Sequence, residues 1–218
     1  MIMKKFKALV CGFDPFDQNH INPSWSAVSA LPQEIEPFEI YKIQLPVTFG
    51  QAFLELEKAM EHCHPDLVLC AGLAKDRSDI TVERVAINLC DARIPDNQGF
   101  QPLDQPIIPG APDAYFTNLP LKEIVKHISH AGIKASISNT AGTFVCNYVM
   151  YKLMHTIATK KLPILGGFVH VPVLPEMLAN STSLLGMNLD SIVLSLRQAI
   201  LACLPVLNQR IPADFPEI

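Results

Sequence analysis

The residues best placed to do chemistry lie in Ser138-Asn-Thr-Ala-Gly-Thr-Phe-Val-Cys-Asn147. Small and turn-forming residues (Ser138, Asn139, Thr140, Gly142) precede Cys146, and beyond it Val149, Met150, Leu153, Met154 and Ile157 recur at helical spacing. The pattern predicts Cys146 in the first turn of a helix. Free backbone N–H groups and the positive end of the helix dipole favour an anion there, so the expectation is a thiol pKa lowered toward the reactive thiolate. The same N–H groups can hold a developing oxyanion. A buried, inert thiol is the commoner use of a cysteine. Strand, Gly-containing turn, nucleophile, helix is nonetheless the order that exposes an attacking atom at the carboxyl edge of a sheet.

A cysteine nucleophile needs a base, usually His, and often a group that orients it. His170 stands among aliphatics just before Pro172, where a satisfied core histidine is the ordinary reading. Glu83 and Arg84 interrupt the apolar residues of Asp79–Arg93, and Glu83 taken alone reads as surface charge. Phe13 and Phe16, in the loop after the first strand, serve equally as core filling or as an aromatic wall facing a ligand. His62-Cys63-His64 has the residue types of a metal cluster, but neighbours on a helix point in different directions, so no metal is assigned.

These groups must be positioned by the elements around them. Phe6–Gly12 and Pro65–Gly72 read as buried strands ending at Gly, and Phe38–Val47 alternates as a strand should. Pro23 opens a short helix around Trp25 to Leu31. Thr48 with Gln51 suggests a capping box for a helix running to about His62, with Phe53, Leu56 and Met60 inward. Strand, helix, apolar strand is a parallel crossover, the unit of an α/β sheet covered on both faces. Asp79–Arg93 is strand-like, and the Pro-rich segment Ile94–Pro120 lacks periodicity and should drape over the surface. Leu121–Ala131 is an amphipathic helix stopped by Gly132, and Lys134–Ser138 is the strand feeding the cysteine turn. Leu162–Pro175 is a further buried strand, and Asp190 can cap a last apolar helix before Pro205.

The 218 residues suit one domain, residues 1–218, with a full core, and 49% hydrophobic against 17% charged residues describes a globule that can also bury surface between subunits. A formal charge of -4 without a basic cluster gives no footprint for nucleic acid or an anionic membrane. The apolar run at the N-terminus is too short for a signal peptide or a membrane span, and six cysteines without a C-x-x-C pair fit reduced thiols, so the expected location is cytoplasmic.

Ile80-Thr-Val-Glu-Arg-Val-Ala-Ile-Asn88, the cysteine stretch and Phe168-Val-His-Val-Pro-Val-Leu-Pro-Glu176, together with Gly12-Phe-Asp-Pro-Phe16 and Ala92-Arg-Ile-Pro-Asp-Asn97, resemble in order and approximate spacing the pyroglutamyl-peptidase I family, also called pyrrolidone-carboxylate peptidases. The resemblance spans roughly Leu9 to Glu176. It implies an α/β/α sandwich with a mostly parallel, mixed sheet, and a thiol exopeptidase that removes an N-terminal pyroglutamyl residue from peptides, often as a homotetramer, without metal or cofactor. A tetramer or dimer is expected. It further implies Cys146 as nucleophile, His170 as general base and then acid, Glu83 as the group orienting the imidazole, and Arg93 as support for the oxyanion. Phe13, Phe16, Phe144 and Val145 would form the slot for the lactam ring, with backbone groups near Gly72 and Leu73 reading its amide edge. The chain departs from the family at Lys75 and Asp76, which replace a small Gly-rich turn, and at Asp17, where a Gly is common. Two other readings follow the same residues: another Cys-His-Glu amide hydrolase, such as a glutamine amidase, or an inactive relative that binds pyroglutamyl peptides or acts as a scaffold.

Overall fold

A computed structural model describes residues 5–178 and 186–210. Residues 1–4, which begin the apolar N-terminal run, lie outside them. Phe6–Phe13 (β1) pairs in parallel with Phe38–Leu45 (β3) on one side and with Leu67–Leu73 (β4) on the other. Leu165–Val171 (β9) continues the parallel set beside β4, with Gly72 opposite His170. Ile80–Glu83 (β5) then runs antiparallel to β9 and parallel to Ala135–Ser138 (β8). The two-residue strand Glu34–Ile35 (β2) closes the far edge antiparallel to β3. The seven-stranded order β2-β3-β1-β4-β9-β5-β8 is mixed and mostly parallel, as expected.

Helices cover both faces, which is why β4 and β9 are buried at every position. Pro23–Ala30 (α1), Leu121–His130 (α3), Leu189–Ala202 (α5) and Leu204–Gln209 (α6) pack over Leu69, Ala71, Val82 and Val169. Gln51–Cys63 (α2) and Val145–Thr159 (α4) pack over Cys70, Phe168 and Leu9 on the other face. Because side chains alternate along a strand, Thr81 and Glu83 share the α4 face with His170, while Ile80 and Val82 face α3 and α5. Residues 189–209 are together long and apolar enough to cross a membrane. Two helices meet there at Cys203, and Ile192, Leu196 and Ile200 are fully buried in the core.

Pro23 stands at the start of α1, behind the N-cap Asn22, and Gly132 follows α3 with a φ of 81°. Several expected boundaries move. The Thr48–Gln51 capping box does not form: the N-cap of α2 is Gly50, the buried Thr48 hydroxyl has no partner among the described residues, and the Gln51 amide donates to Glu55. The preceding turn is held instead by Asp96, whose carboxylate accepts the Phe49 N–H at 2.9 Å. Asn188, not Asp190, caps α5 by accepting the Ser191 N–H. Pro205 does not end the helical region, since it fits the first turn of α6, where its missing N–H is not needed.

The strand-like stretch 79–93 also breaks in two. At Arg84 the N–H turns to the Ser138 carbonyl and the carbonyl accepts the Thr117 N–H, and the chain leaves the main sheet. Val85–Ile87 (β6) then pairs with Ala114–Phe116 (β7), a short strand within the Pro-rich segment whose sequence shows no periodicity.

Candidate active site

β8 delivers the chain to a tight turn at 139–144, held by its own hydroxyls. Ser138 Oγ donates to the Thr140 carbonyl at 3.0 Å, Thr140 Oγ1 accepts the Gly142 N–H at 3.1 Å, and Thr143 Oγ1 donates to the Asp91 carbonyl at 2.6 Å. Gly142 supplies the φ of 78° that the reversal requires. α4 starts at Val145, so Cys146 does lie in its first turn, and no side chain among the described residues caps the N–H groups there. Buried Asn147 fixes this turn to the segment beyond Glu83, accepting the Ile87 N–H at 3.0 Å and donating to the Ile87 and Leu89 carbonyls.

Beneath Cys146 lies Gly72 on β4. A Cβ placed there would come within 2.8 Å of the Cys146 sulfur and 2.7 Å of the Phe168 ring, so the thiol occupies the space of the missing side chain. Gly72 is the register partner of His170, which places the histidine on the next strand. Cys146 and His170 open on one cleft of about 570 Å³.

Glu83 is fully buried behind the histidine. Its Oε1 lies 2.7 Å from His170 Nδ1 and accepts from Arg77 Nη1 at 2.5 Å. Burial alone would raise this carboxyl, but the hydrogen bond and charge of His170 lead the effects that hold it below the usual carboxylate range. The surface-charge reading of Glu83 does not survive its burial.

One electrostatic expectation is reversed. Burial pushes the Cys146 thiol up to about 12, with the Glu83 charge and Cys70 adding to it, while Arg77 and the residue's own backbone N–H pull it down. The residue keeps partial exposure to the cleft, yet its sulfur is walled by Gly72. Desolvation of the charged form outweighs the helix N-terminus.

Phe13, Phe16, Leu73, Phe144, Val145 and Arg93 all line the cleft. Phe16 and Phe144 have ring centroids 6.2 Å apart, and Phe49 buttresses Phe144 edge-on at 5.4 Å. Phe13 and Phe168, 6.0 Å apart, continue the aromatic floor toward His170. Gly72 and Leu73 lie beyond the end of the β1–β4 ladder, which stops at Cys11↔Cys70. Arg93 reaches the cleft from an exposed segment and makes no hydrogen bond among the described residues. Lys75, Asp76 and Asp17 stand at the mouth, where Lys75 Nζ donates to Asp17 Oδ2 at 2.8 Å and lies 5.1 Å from the Phe16 ring centroid. Among the described residues no three metal-ligating side chains gather.

The family model of pyroglutamyl peptidase matches residues 6–205. The chain belongs to the pyroglutamyl peptidase family. It is 49% identical over 190 residues to the pyrrolidone-carboxylate peptidase of Enterococcus faecalis, covering 87% of this chain and 89% of that one. With the enzyme of the same name from Thermococcus onnurineus it shares 52% over 170 residues, 78% of this chain and 85% of the other. Crystallographic pyroglutamyl peptidase I from Bacillus amyloliquefaciens superposes with a TM-score of 0.87 at 44% identity, covering 91% of this chain and 96% of that one. The pyrrolidone carboxyl peptidase structure from Thermococcus litoralis gives 0.90 at 37% identity, with 97% and 100% covered. The α/β fold is thus that of the pyroglutamyl peptidases.

Arg77 is the member of this site whose role sequence reasoning missed. It sits in a loop without periodicity, six residues before Glu83, and nothing in that spacing brings it back under the strand. Thr81 was findable, because the residue two before Glu83 on a strand shares its face.

Proposed function

We propose that this pyroglutamyl peptidase hydrolyses the amide bond after an N-terminal pyroglutamyl residue, with Cys146 as nucleophile, His170 as base and then acid, and Glu83 orienting the imidazole. The observation that carries the assignment is the 2.7 Å Glu83–His170 contact behind a cleft that His170 shares with Cys146. Family membership supports the specificity, and the cleft's aromatic faces suit a small, neutral, planar lactam better than a free amino terminus would be suited.

Glu83 accepts from Nδ1, leaving Nε2 of His170 free to take the thiol proton. With the thiol pushed up to about 12, proton transfer to His170 accompanies attack of the sulfur on the pyroglutamyl carbonyl carbon. The carbonyl π pair moves onto oxygen, where uncapped amides of the first α4 turn receive it, with Arg93 as support from the cleft wall. Collapse breaks the C–N bond, the leaving amine takes the proton from His170, and a thioester remains on Cys146. Water, deprotonated by His170, then displaces the thiolate, releases pyroglutamate and restores the thiol.

We also infer a homo-oligomer, dimer or tetramer, since Phe100, Leu103 and Phe116 stay 52%, 64% and 68% exposed, and a cytoplasmic location, where six unpaired cysteines remain reduced. The test of the activity is release of a fluorogenic amine from its pyroglutamyl amide by the native chain and by Cys146→Ser, under reducing conditions with a chelator present. Turnover by the native chain alone is expected. A folded native chain that spares this amide but cleaves a prolyl or alanyl amide would overturn the lactam pocket.

A further inference from the structure

Arg77 is tied to three different parts of the site. From the loop after β4, its Nη1 donates to Thr81 Oγ1 and to Glu83 Oε1, both at 2.5 Å, and its Nη2 donates to the Thr140 carbonyl at 2.9 Å. Thr81 and Glu83 belong to the strand that orients His170, and Thr140 to the turn that presents Cys146. One planar guanidinium therefore bridges the acid–base half of the site and its nucleophile half, which are contributed by separate segments of chain. Only a fork of fixed geometry spans all three acceptors at once.

We propose that Arg77 is a positioning residue for this reaction: its guanidinium holds the Glu83 carboxylate against His170 and fixes the cysteine turn at the reacting distance, and its charge favours the anion that forms on Cys146. The proposal rests on the Cys146–His170–Glu83 assignment above. Two arguments support it. Glu83 is fully buried, and an ionised carboxylate in such a place needs charged partners. Glu83 Oε1 is shared between His170 and Arg77, so the carboxylate is flanked by a permanent cation and remains paired while the imidazole gains and loses its proton. Without Arg77, the Glu83 charge would oppose the developing thiolate with only the imidazolium to offset it. The sign agrees with the thiol, whose deprotonation Glu83 hinders and Arg77 assists. Arg93, on the exposed side of the cleft, has no such ties.

The experiment compares native chain, Arg77→Ala and Arg77→Lys on the fluorogenic pyroglutamyl amide, together with the pH dependence of Cys146 alkylation mapped by mass spectrometry. Cys146→Ser serves as control. Arg77→Ala is expected to lower kcat on the order of tenfold to a hundredfold, the range for losing a hydrogen bond to a charged group, with KM nearly unchanged. Its alkylation limb should move to higher pH, because the Arg77 charge that favours the thiolate across the cleft is gone. Added methylguanidinium should restore part of both. Arg77→Lys, which keeps the charge but not the fork, should leave the limb near its native place while kcat falls. Should Arg77→Ala fail to fold, the lysine variant decides alone. Unchanged kcat in either variant, or a fall in kcat with an unmoved limb in the alanine variant, would overturn the role. An inactive native chain or an active Cys146→Ser would instead overturn the function on which it rests.

Discussion

Glu83 Oε1 and His170 Nδ1 meet at 2.7 Å across 87 residues of sequence, on adjacent antiparallel strands of the same sheet. The contact depends on one topological detail. Thr81 on β5 stands opposite His170 on β9, so Glu83, two residues further along β5, shares the face that carries the imidazole.

Glu83→Gln keeps the shape of this contact but removes the charge that stabilises an imidazolium and can fix the wrong tautomer. We expect kcat to fall by roughly a hundredfold or more with little change in KM, measured on the pyroglutamyl amide. Stability should respond as well. The folded-state pKa of Glu83 is depressed, so its contribution is fully present above the unfolded carboxylate value of about 4.3 and is lost as pH falls through the lower folded value. Urea midpoints of the native chain should therefore drop more steeply than those of Glu83→Gln below about pH 5. Parallel curves would refute the linkage.

Much of this could be read from residue order. Apolar runs ending at Gly, Pro23 behind Asn22 and the small-residue turn before Cys146 carry their physics locally, and the structure has the corresponding elements. What could not be read depends on distance in sequence. Glu83 looked like surface charge because its cover, α4 and the cysteine turn, arrives more than fifty residues later. The cap of α2 failed for a similar reason: the Asp96 carboxylate takes the Phe49 N–H from a segment that no local pattern connects to it. The thiol was misjudged because a helix N-terminus is visible in sequence while the enclosure of the sulfur against Gly72 is not.

That enclosure has its own consequence with pH. Burial places the Cys146 thiol at about 12 and also raises Cys90 to about 11 and Cys203 to about 12. A raised pKa contributes stability that is complete below the unfolded thiol value, about 8.5, and is lost as pH rises through the folded values. The native chain should thus lose stability progressively between about pH 9 and 12. Cys146→Ser should lose less over the same range, as thermal midpoints in reducing buffer would reveal. Without substrate, iodoacetamide should modify Cys146 slowly at neutral pH and faster as pH rises. Rapid, pH-independent alkylation would mean a thiolate already formed.

Gly72→Ala tests the packing of nucleophile on strand. Gly72 lies outside the left-handed region, so the added methyl meets only a steric conflict, with Cys146 Sγ at 2.8 Å and Phe168 Cζ at 2.7 Å. Either the ring or the sulfur must shift. We expect a loss of about 1 to 3 kcal/mol in stability, typical of overpacking, and a fall in kcat larger than that in substrate affinity, because a displaced sulfur misses the carbonyl. Chemical denaturation together with steady-state kinetics measures both, and native kcat in this variant would show that the sulfur has room to spare.

At the cleft mouth, the Lys75–Asp17 pair joins the loop after β4 to the loop after β1, and Lys75 also lies over Phe16. Lys75 and Asp17 are 40% and 42% exposed in their side chains, so water and salt screen the pair and little fold stability should rest on it. Its expected effect is on the aromatic wall. By holding Lys75 over Phe16, the bridge narrows the orientations of a ring that lines the cleft. Lys75→Gly should raise KM for the pyroglutamyl amide by about twofold to fivefold at low salt, with kcat retained. Raising the ionic strength to about 1 M should shrink the difference between variant and native chain, because screening then removes in the native chain what the substitution removes in the variant. A difference that persists at high salt would assign the effect to the shape of the loop instead of its charge. Asp17→Gly should reproduce the low-salt change in KM, and since Asp17 holds a φ of 59°, glycine there relieves a strained backbone. If the two substitutions act through one bridge, the double variant should be no worse than either single one.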